Sequence, residues 1–474
     1  MLQPSSAQFA NTLPDLGDPA QADLSPAQER RIGELAMREI REDFSYVDDA
    51  DIEDYINVLG SRLVAASGLR GQDFTFFVLR DPTINAFAMP GGYVGIHTGL
   101  LAVTQSESEL ASVLSHEIGH IEQRHMARSL AKQGNATATM LASLLVAVLG
   151  AHGNSQVPEA AIMAGQAAAI QGQLSYSRDF EREADRVGFQ TLEAAGFDVR
   201  AMPTFFERLQ RASQLNEGNA PAYLQTHPLT LERIADMQGR AYASKYKQVV
   251  DSTEFTLVRA KLNAEQGTPR DAIARITASN DSRPQDAAAK RYALTRVYLR
   301  DHKPAEAGKA LASLRELKLN SPMIETLAAD VATAQGHPLD AASICHNAQS
   351  RYPRSRALVD CEVLAYLDGG KPDQALALLN DQIAQNPQDD RLYAFQARSY
   401  QALGKPTQQY RAQAEVYALR GNLLAAIDQL QLAQHSGGGD YYEQSAIDAR
   451  LRELRAKQKE DAKDNRGGRQ GYAG

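Results

Sequence analysis

Cysteine is nearly absent, with two residues in 474. That excludes a disulfide scaffold, a multi-cysteine zinc module and an iron–sulfur protein. An excess of basic charge is also missing. Lys and Arg number 50 against 58 Asp and Glu, a net charge of −8. Such a chain is not built to coat phosphate backbones, so no nucleic-acid partner is expected. Long apolar runs are lacking too. Met140 to Leu149 is the longest candidate, about half the ~18 residues that span a bilayer, so no transmembrane segment is expected. Residues 1–24 show neither the basic start nor the apolar core of a secretory leader. The chain is therefore either cytosolic or a mature form from which a signal peptide has been removed. What is present is ordinary globular composition, 43% hydrophobic and 23% charged. At about 150 residues per domain the length allows two to four domains.

The first 24 residues, rich in Pro, Ser, Gln and Asp, read as a flexible N-terminal arm. Ser25, Pro26 and Gln28 then form a helix-opening capping box. Ile32, Leu35, Ala36 and Ile40 make the apolar stripe of that helix. Ile52, Tyr55, Ile56, Leu59 and Leu63 mark a second amphipathic helix. Strand-like runs follow at Phe74–Leu79, Ile84–Met89 and Tyr93–His97, the last two joined by a Pro90-Gly91-Gly92 turn. Ser106 and Glu109 read as a second capping box, predicting a helix to about Lys132. Residues 134–176 are small, apolar and Gln-rich, a candidate lid. A further helix is predicted over 179–195.

Beyond residue 254 strand signals vanish. Prolines stand at 269, 304, 338, 372 and 406, a period of 34 to 35 residues. Ala272, Ala307, Ala341 and Ala375 follow the first four by three residues, and Gln409 follows the fifth. Gly267, Gly336, Gly370 and Gly404 precede their prolines by two, with His302 as the exception. This phasing resembles the tetratricopeptide repeat: small residues let two helices pack closely, and Gly then Pro ends one helix and starts the next. Cys345 and Cys361 flank the turn at Pro353. They are either a disulfide, which needs an oxidising compartment, or two small buried hydrophobes.

The chemistry centres on Ser115-His116-Glu117-Ile118-Gly119-His120. On a helix, residues four apart share a face. His116 and His120 can hold one zinc ion, with Glu117 beside it to take a proton from the attacking water. Zinc needs a third protein ligand. In Glu181-Arg182-Glu183-Ala184-Asp185, Glu181 and Asp185 share a face, and Glu183 is rotated about 200° away. Glu181 is the candidate third ligand, and Asp185 the acceptor that orients a ligand imidazole. His125 is out of register for a metal ligand and reads as structural or as support behind the ligands. Asn85, Ala86 and Phe87 are either a substrate-binding edge strand or part of a plain core hairpin.

H-E-I-G-H, the downstream E-x-E-A-D and the segment I-N-A-F-A-M-P-G-G-Y-V-G-I-H-T-G-L-L resemble the zinc metallopeptidases related to the CAAX prenyl protease, HtpX and OMA1. With repeats at the C-terminus, the chain resembles their soluble periplasmic branch in Gram-negative bacteria. The resemblance covers roughly residues 10–460 and implies one Zn2+ per chain on His116, His120 and Glu181. Thr226-His227-Pro228 matches a family segment. By that resemblance, His227 can close the site as a fourth ligand or, swung away, serve catalysis. Arg233 would orient that segment. The resemblance further implies a periplasmic protease and chaperone. Its clients would be unfolded or misassembled outer-membrane proteins, and its partner the barrel-assembly machinery, reached through the repeat domain.

The expected architecture is mainly α. An α+β zincin-like metallopeptidase domain with a small sheet (25–246) precedes an α-solenoid of tetratricopeptide repeats (247–460) and a flexible tail (461–474). A non-catalytic repeat-domain chaperone or scaffold with a structural zinc is the alternative, against which the intact Glu117 argues.

Overall fold

The computed structural model describes residues 25–69, 71–131, 178–215, 221–279 and 283–470. The expected arm at 1–24 and the candidate lid at 134–176 lie outside the described residues. The peptidase half opens with α1 (Pro26–Glu42) and α2 (Ala50–Ala66). Both halves of the first capping box form: Gln28 N–H donates to Ser25 Oγ at 3.3 Å, and Ser25 N–H to Gln28 Oε1 at 2.8 Å. Ile32, Ala36 and Ile40 bury against Phe77, Leu79, Met89 and Tyr93 of the sheet.

The sheet has three strands, β1 (Thr75–Leu79), β2 (Ala86–Met89) and β3 (Tyr93–His97), in the order β1-β3-β2. β3 pairs parallel with β1 and antiparallel with β2. The Pro90-Gly91-Gly92 turn is as expected, with both glycines at positive φ (82° and 87°). Because the chain crosses to the far side before returning through this turn, β2 is an edge strand.

After α3 (Thr98–Val103) comes the motif helix α4 (Glu107–Glu122), and here two expectations need correction. The capping box is half formed. Ser106 Oγ accepts from Glu109 N–H, but the Glu109 carboxylate turns to Gln105 N–H and Arg208 instead. The helix also does not run on to Lys132. It breaks at Gln123–Arg124, where Arg124 takes a left-handed φ of 51°, and resumes as α5 (His125–Ala131). The Arg124 guanidinium is anchored on Glu29 of α1 at 3.2 Å, and the break turns His125 back toward His120. α6 (Arg178–Ala194), α7 (Ala201–Leu215), α8 (Ala222–Thr226) and α9 (Leu231–Ala243) complete this half.

The rest is helical: α10 (Thr253–Glu265), α11 (Pro269–Ala278), α12 (Pro284–Arg300), α13 (Pro304–Arg315), α14 (Pro322–Ala334), α15 (Pro338–Gln349), α16 (Arg356–Asp368), α17 (Pro372–Gln385), α18 (Asp390–Ala402), α19 (Pro406–Leu419), α20 (Leu423–His435) and α21 (Tyr441–Gln470). Each phased proline opens a helix. Ala272, Ala307, Ala341 and Ala375 are wholly buried at 0% exposure, whereas Gln409 is only partly covered. Gly267, Gly336, Gly370 and Gly404 all sit at positive φ, between 66° and 85°. His302 adopts the same region at 54°, a conformation that costs a residue with a Cβ about 1 kcal/mol or more. The repeat pattern is thus a backbone requirement. The last helix runs past 460 into the stretch read as a tail.

The array curls around the peptidase half. One apolar core runs from Val47 through α4 and α10 to Val331, so a boundary near 247 crosses continuous packing. Lys261 of α10 is buried between Asp49 and Asp51 at the start of α2, at 2.7 and 2.8 Å. Arg356 of α16 grips Asp54 at 2.7 Å, and Arg38 of α1 reaches the Gly421 carbonyl at 3.2 Å. Cys345 and Cys361 form a disulfide between α15 and α16, with Cα atoms 6.1 Å apart.

Candidate metal centre

α4 and α6 pack along their length, and two glycines set how close they come. A Cβ on Gly119 would lie 2.9 Å from the Ala184 carbonyl, and one on Gly188 would lie 2.9 Å from the His116 backbone. Backbone atoms cannot move aside as a flexible side chain can, so only glycine allows this crossing. It brings Glu181 within reach of the histidine pair. Glu181 carboxylate oxygens lie 3.5 Å from His116 Nε2 and 3.4 Å from His120 Nε2, and those two nitrogens are 3.0 Å apart. His227 Nδ1 stands 3.1 Å from Glu181 Oε1 and 3.4 Å from His116 Nε2. Ligand atoms of His116, His120, Glu181 and His227 all fall within 4.8 Å of one another, and none of the four residues is more than 2% exposed.

The outer ring fixes which atoms face inward. His116 Nδ1 is 3.0 Å from Asp185 Oδ1, which leaves Nε2 for a metal. Asp185 is in turn clamped by Arg233, whose Nε and Nη2 donate to its two oxygens at 2.7 and 2.8 Å. Arg233 also reaches Glu181 Oε2 and donates to the Pro228 carbonyl, both at 2.7 Å. One buried guanidinium therefore ties both acids of α6 to the segment carrying His227. Behind His120 stands His125, the two Nδ1 atoms 2.9 Å apart, with His125 Nε2 2.9 Å from Glu183. His125 thus stands directly behind His120. Glu183 does face away from the ligand atoms, as its helical phase required, yet it still serves the site through His125. That link depends on the break at Gln123–Arg124, which no local pattern announced.

Electrostatics follow from burial and neighbours. Burial raises the Glu117 carboxyl above the usual range, while His227 and His116 partly offset it. A raised carboxyl suits a group that must accept and return a proton. Burial would raise Glu181 as well, but His227, His116 and His120 hold it well below. Burial opposes charge on His116, yet the hydrogen bonds to Asp185 and Glu181 outweigh it and push that imidazole up to about 9. His120, buried beside it, is held well below its usual value.

Two imidazoles and a carboxylate with their second atoms tied off are the donors zinc takes in hydrolytic enzymes. A third imidazole closes the set, and a raised carboxyl stands beside them. The buried cage and the paired outer ring fit that ion, so the fold and site define a zinc-dependent peptidase. The profile of peptidase family M48 matches residues 51–241. The chain is 33% identical over 457 residues to the beta-barrel assembly-enhancing protease of Escherichia coli (strain K12), covering 95% of this chain and 93% of that one. It is 31% identical to the protease of the same name from Yersinia pestis, over 94% and 91%. Against the mitochondrial metalloendopeptidase OMA1 of Schizosaccharomyces pombe it is 32% identical, over 39% of this chain and 51% of that one. The chain belongs to peptidase family M48 and is a zinc metallopeptidase.

Proposed function

We propose that the chain is a latched zinc endopeptidase and chaperone that acts on unfolded or misassembled outer-membrane β-barrel proteins in the periplasm. The observation that carries this reading is the fourth ligand atom. His227 offers a nitrogen within 4.8 Å of the ligand atoms of His116, His120 and Glu181, and its Nε2 lies 3.5 Å from Glu117, so as a fourth ligand it would take the place that a substrate carbonyl or attacking water needs. With His227 in place the site is closed, which suits an enzyme that must spare correctly folding clients. Zinc, when bound, polarises the scissile carbonyl and acidifies a water. Glu117 takes the proton of the attacking water and returns it to the leaving amine. Asp185 and Arg233 keep the His116 and Glu181 side chains aimed.

The biological setting draws on other support. The relatives matched over nearly their whole length are named for enhancing β-barrel assembly, and we carry that role to this chain. No helix among the described residues is long and apolar enough to cross a membrane. The Cys345–Cys361 disulfide suits an oxidising compartment. A cavity of about 1290 Å³ separates α2 from the inner face of the repeats, bordered by Phe44, Val58, Arg354 and Asp360. Phe44 is 92% exposed and Val58 71%. Apolar side chains standing in a charged cleft suit an unfolded client, and the array's remaining face is the proposed contact for the barrel-assembly machinery. We divide the chain at 246/247, with peptidase before and repeats after.

The test is cleavage of a urea-unfolded outer-membrane barrel protein by the zinc-loaded chain. Glu117→Gln should lower the rate by about 10²–10⁴-fold with zinc retained, and His227→Ala should raise it. Equal cleavage by wild type and Glu117→Gln would favour the non-catalytic scaffold, and an unchanged rate in a zinc-loaded His227→Ala protein would remove the latch.

A further inference from the structure

The segment that carries His227 is tied by a backbone hydrogen bond to Ile84, two residues ahead of β2. α8 is one short turn, and the His227 N–H closes it on the Tyr223 carbonyl at 2.9 Å. Tyr223 and His227, four residues apart, stack their rings at 4.6 Å with an angle of 27°. Tyr223 is 2% exposed and its hydroxyl has no hydrogen-bond partner among the described residues, so the ring stacked on His227 is what the site uses. At the start of the turn, the Tyr223 N–H donates to the Ile84 carbonyl at 3.1 Å.

Ile84 leads into the edge strand. Asn85 accepts from the His97 N–H at 3.0 Å, and Phe87 and Met89 stand opposite Gly95 and Tyr93. In an antiparallel ladder only alternate residues exchange bonds with the partner strand. Asn85, Phe87 and Met89 therefore turn their backbone groups toward β3. Ile84, Ala86 and Ala88 turn theirs to the edge away from β3. Two of the three residues first read as the substrate edge thus bond inward, and the outward ones bracket them. The Ala88 N–H faces Glu117, so the outer edge begins at the proposed base. It runs roughly 13 Å to Ile84, where α8 covers it.

We propose that Tyr223 is a positioning residue that couples the latch to substrate length. Its ring holds the His227 imidazole against the ligand atoms. Its N–H occupies the Ile84 carbonyl that a long substrate strand, added along β2, needs. An extended peptide reaching from Ala88 to Ile84 takes that carbonyl, frees α8 and carries His227 off the site. A peptide that stops at Ala86 leaves the latch closed. The proposal rests on the latch and edge-strand readings above.

The experiment is a series of unfolded peptides sharing one cleavage site, with flanks lengthened residue by residue on either side, cleaved by the zinc-loaded full chain. Wild type should show a rise in kcat/KM of about tenfold or more once one flank passes roughly four residues, the distance from Ala88 to Ile84 along the strand. Tyr223→Phe should keep that step. Tyr223→Leu should abolish it and cleave short peptides as fast as His227→Ala. A Tyr223→Leu protein that keeps the wild-type step, or a Tyr223→Phe protein that loses it, overturns the coupling. If His227→Ala is itself no faster than wild type on short peptides, the latch reading falls and takes the coupling with it. A second measurement leaves Tyr223 intact. In the cobalt-substituted Glu117→Gln protein, a long peptide should move the visible absorption band to that of the Glu117→Gln, His227→Ala double variant, and a short one should not. A band unmoved by the long peptide also overturns the coupling.

Discussion

The charge cluster at the junction of the halves and the one at the metal centre are completed in opposite ways. At the junction of the two halves, Asp49 and Asp51 enclose the Lys261 ammonium at 2.7 and 2.8 Å, with Thr326 also bonded to Asp51. The chain supplies its own cation there. At the metal centre, Glu181, His116, His120 and His227 converge with their ligand atoms inward, and the chain's own cation, Arg233, stands on the outer side of Glu181 and Asp185. A lysine fills the first cluster and makes it a rivet. The second keeps its inner face for an ion that can also meet a substrate. The placement of one basic side chain, inside the acids or behind them, separates a structural cluster from a reactive one.

Breaking the rivet should have the larger effect. Lys261→Ala removes the buried ammonium that pairs with Asp49 and Asp51, at an expected cost of about 3 kcal/mol in denaturant unfolding. Adding Asp49→Asn and Asp51→Asn should recover part of that cost. A single Lys261→Ala variant as stable as wild type would show that the pair does not hold the halves together.

The reactive cluster is broken more gently through its glycine. Gly188→Ala pushes α6 off the His116 backbone and carries Glu181 and Asp185 with it. Zinc affinity should fall by about 10–100-fold, the usual effect of disturbing the groups behind the ligands, as measured by competition with a chelator. Gly239→Ala, where an added Cβ meets nothing within 4 Å, should leave it unchanged. Equal affinity in both variants would remove the close crossing as the device that sets the site.

The smallest effect separates the clusters by pH. Burial raises the Asp49 carboxyl, but the Lys261 ammonium outweighs it and holds the group below its usual value. Its contribution to stability is therefore whole above the unfolded value and is lost as pH falls through the depressed one. The part of the melting temperature owed to Asp49 should be level between about pH 5 and 8 and decline below about 4. Asp49→Asn should flatten part of that decline, measured by calorimetry with excess zinc. An identical acid limb in both proteins would place the acid sensitivity elsewhere.

Much of the fold was legible because it repeats or has a local period. Left-handed backbone at Gly267, Gly336, Gly370 and Gly404 favours glycine, and full burial at Ala272, Ala307, Ala341 and Ala375 favours a small side chain, so phase could be read from letters. The inner site was legible for the same reason. His116 with His120, and Glu181 with Asp185, are helical i, i+4 pairs, and a helix fixes which of its residues share a face. The helix break after Glu122 was not legible, because it depends on Arg124 meeting Glu29, residues far apart in sequence. The helical phase of Glu183 was legible, but its contact with His125 was not, because that contact depends on the same break.

The sequence alone determined that His116 shares a face with His120 and Glu181 with Asp185, and it determined the repeat period, since each follows from bond geometry within a few residues. Tertiary structure decided the rest. Arg233 holds both acids of α6, Tyr223 sits on the Ile84 carbonyl, and Lys261 fills the junction. Each of these is a contact between segments whose separation in sequence says nothing of their distance, and only the packing of the two halves brings them together.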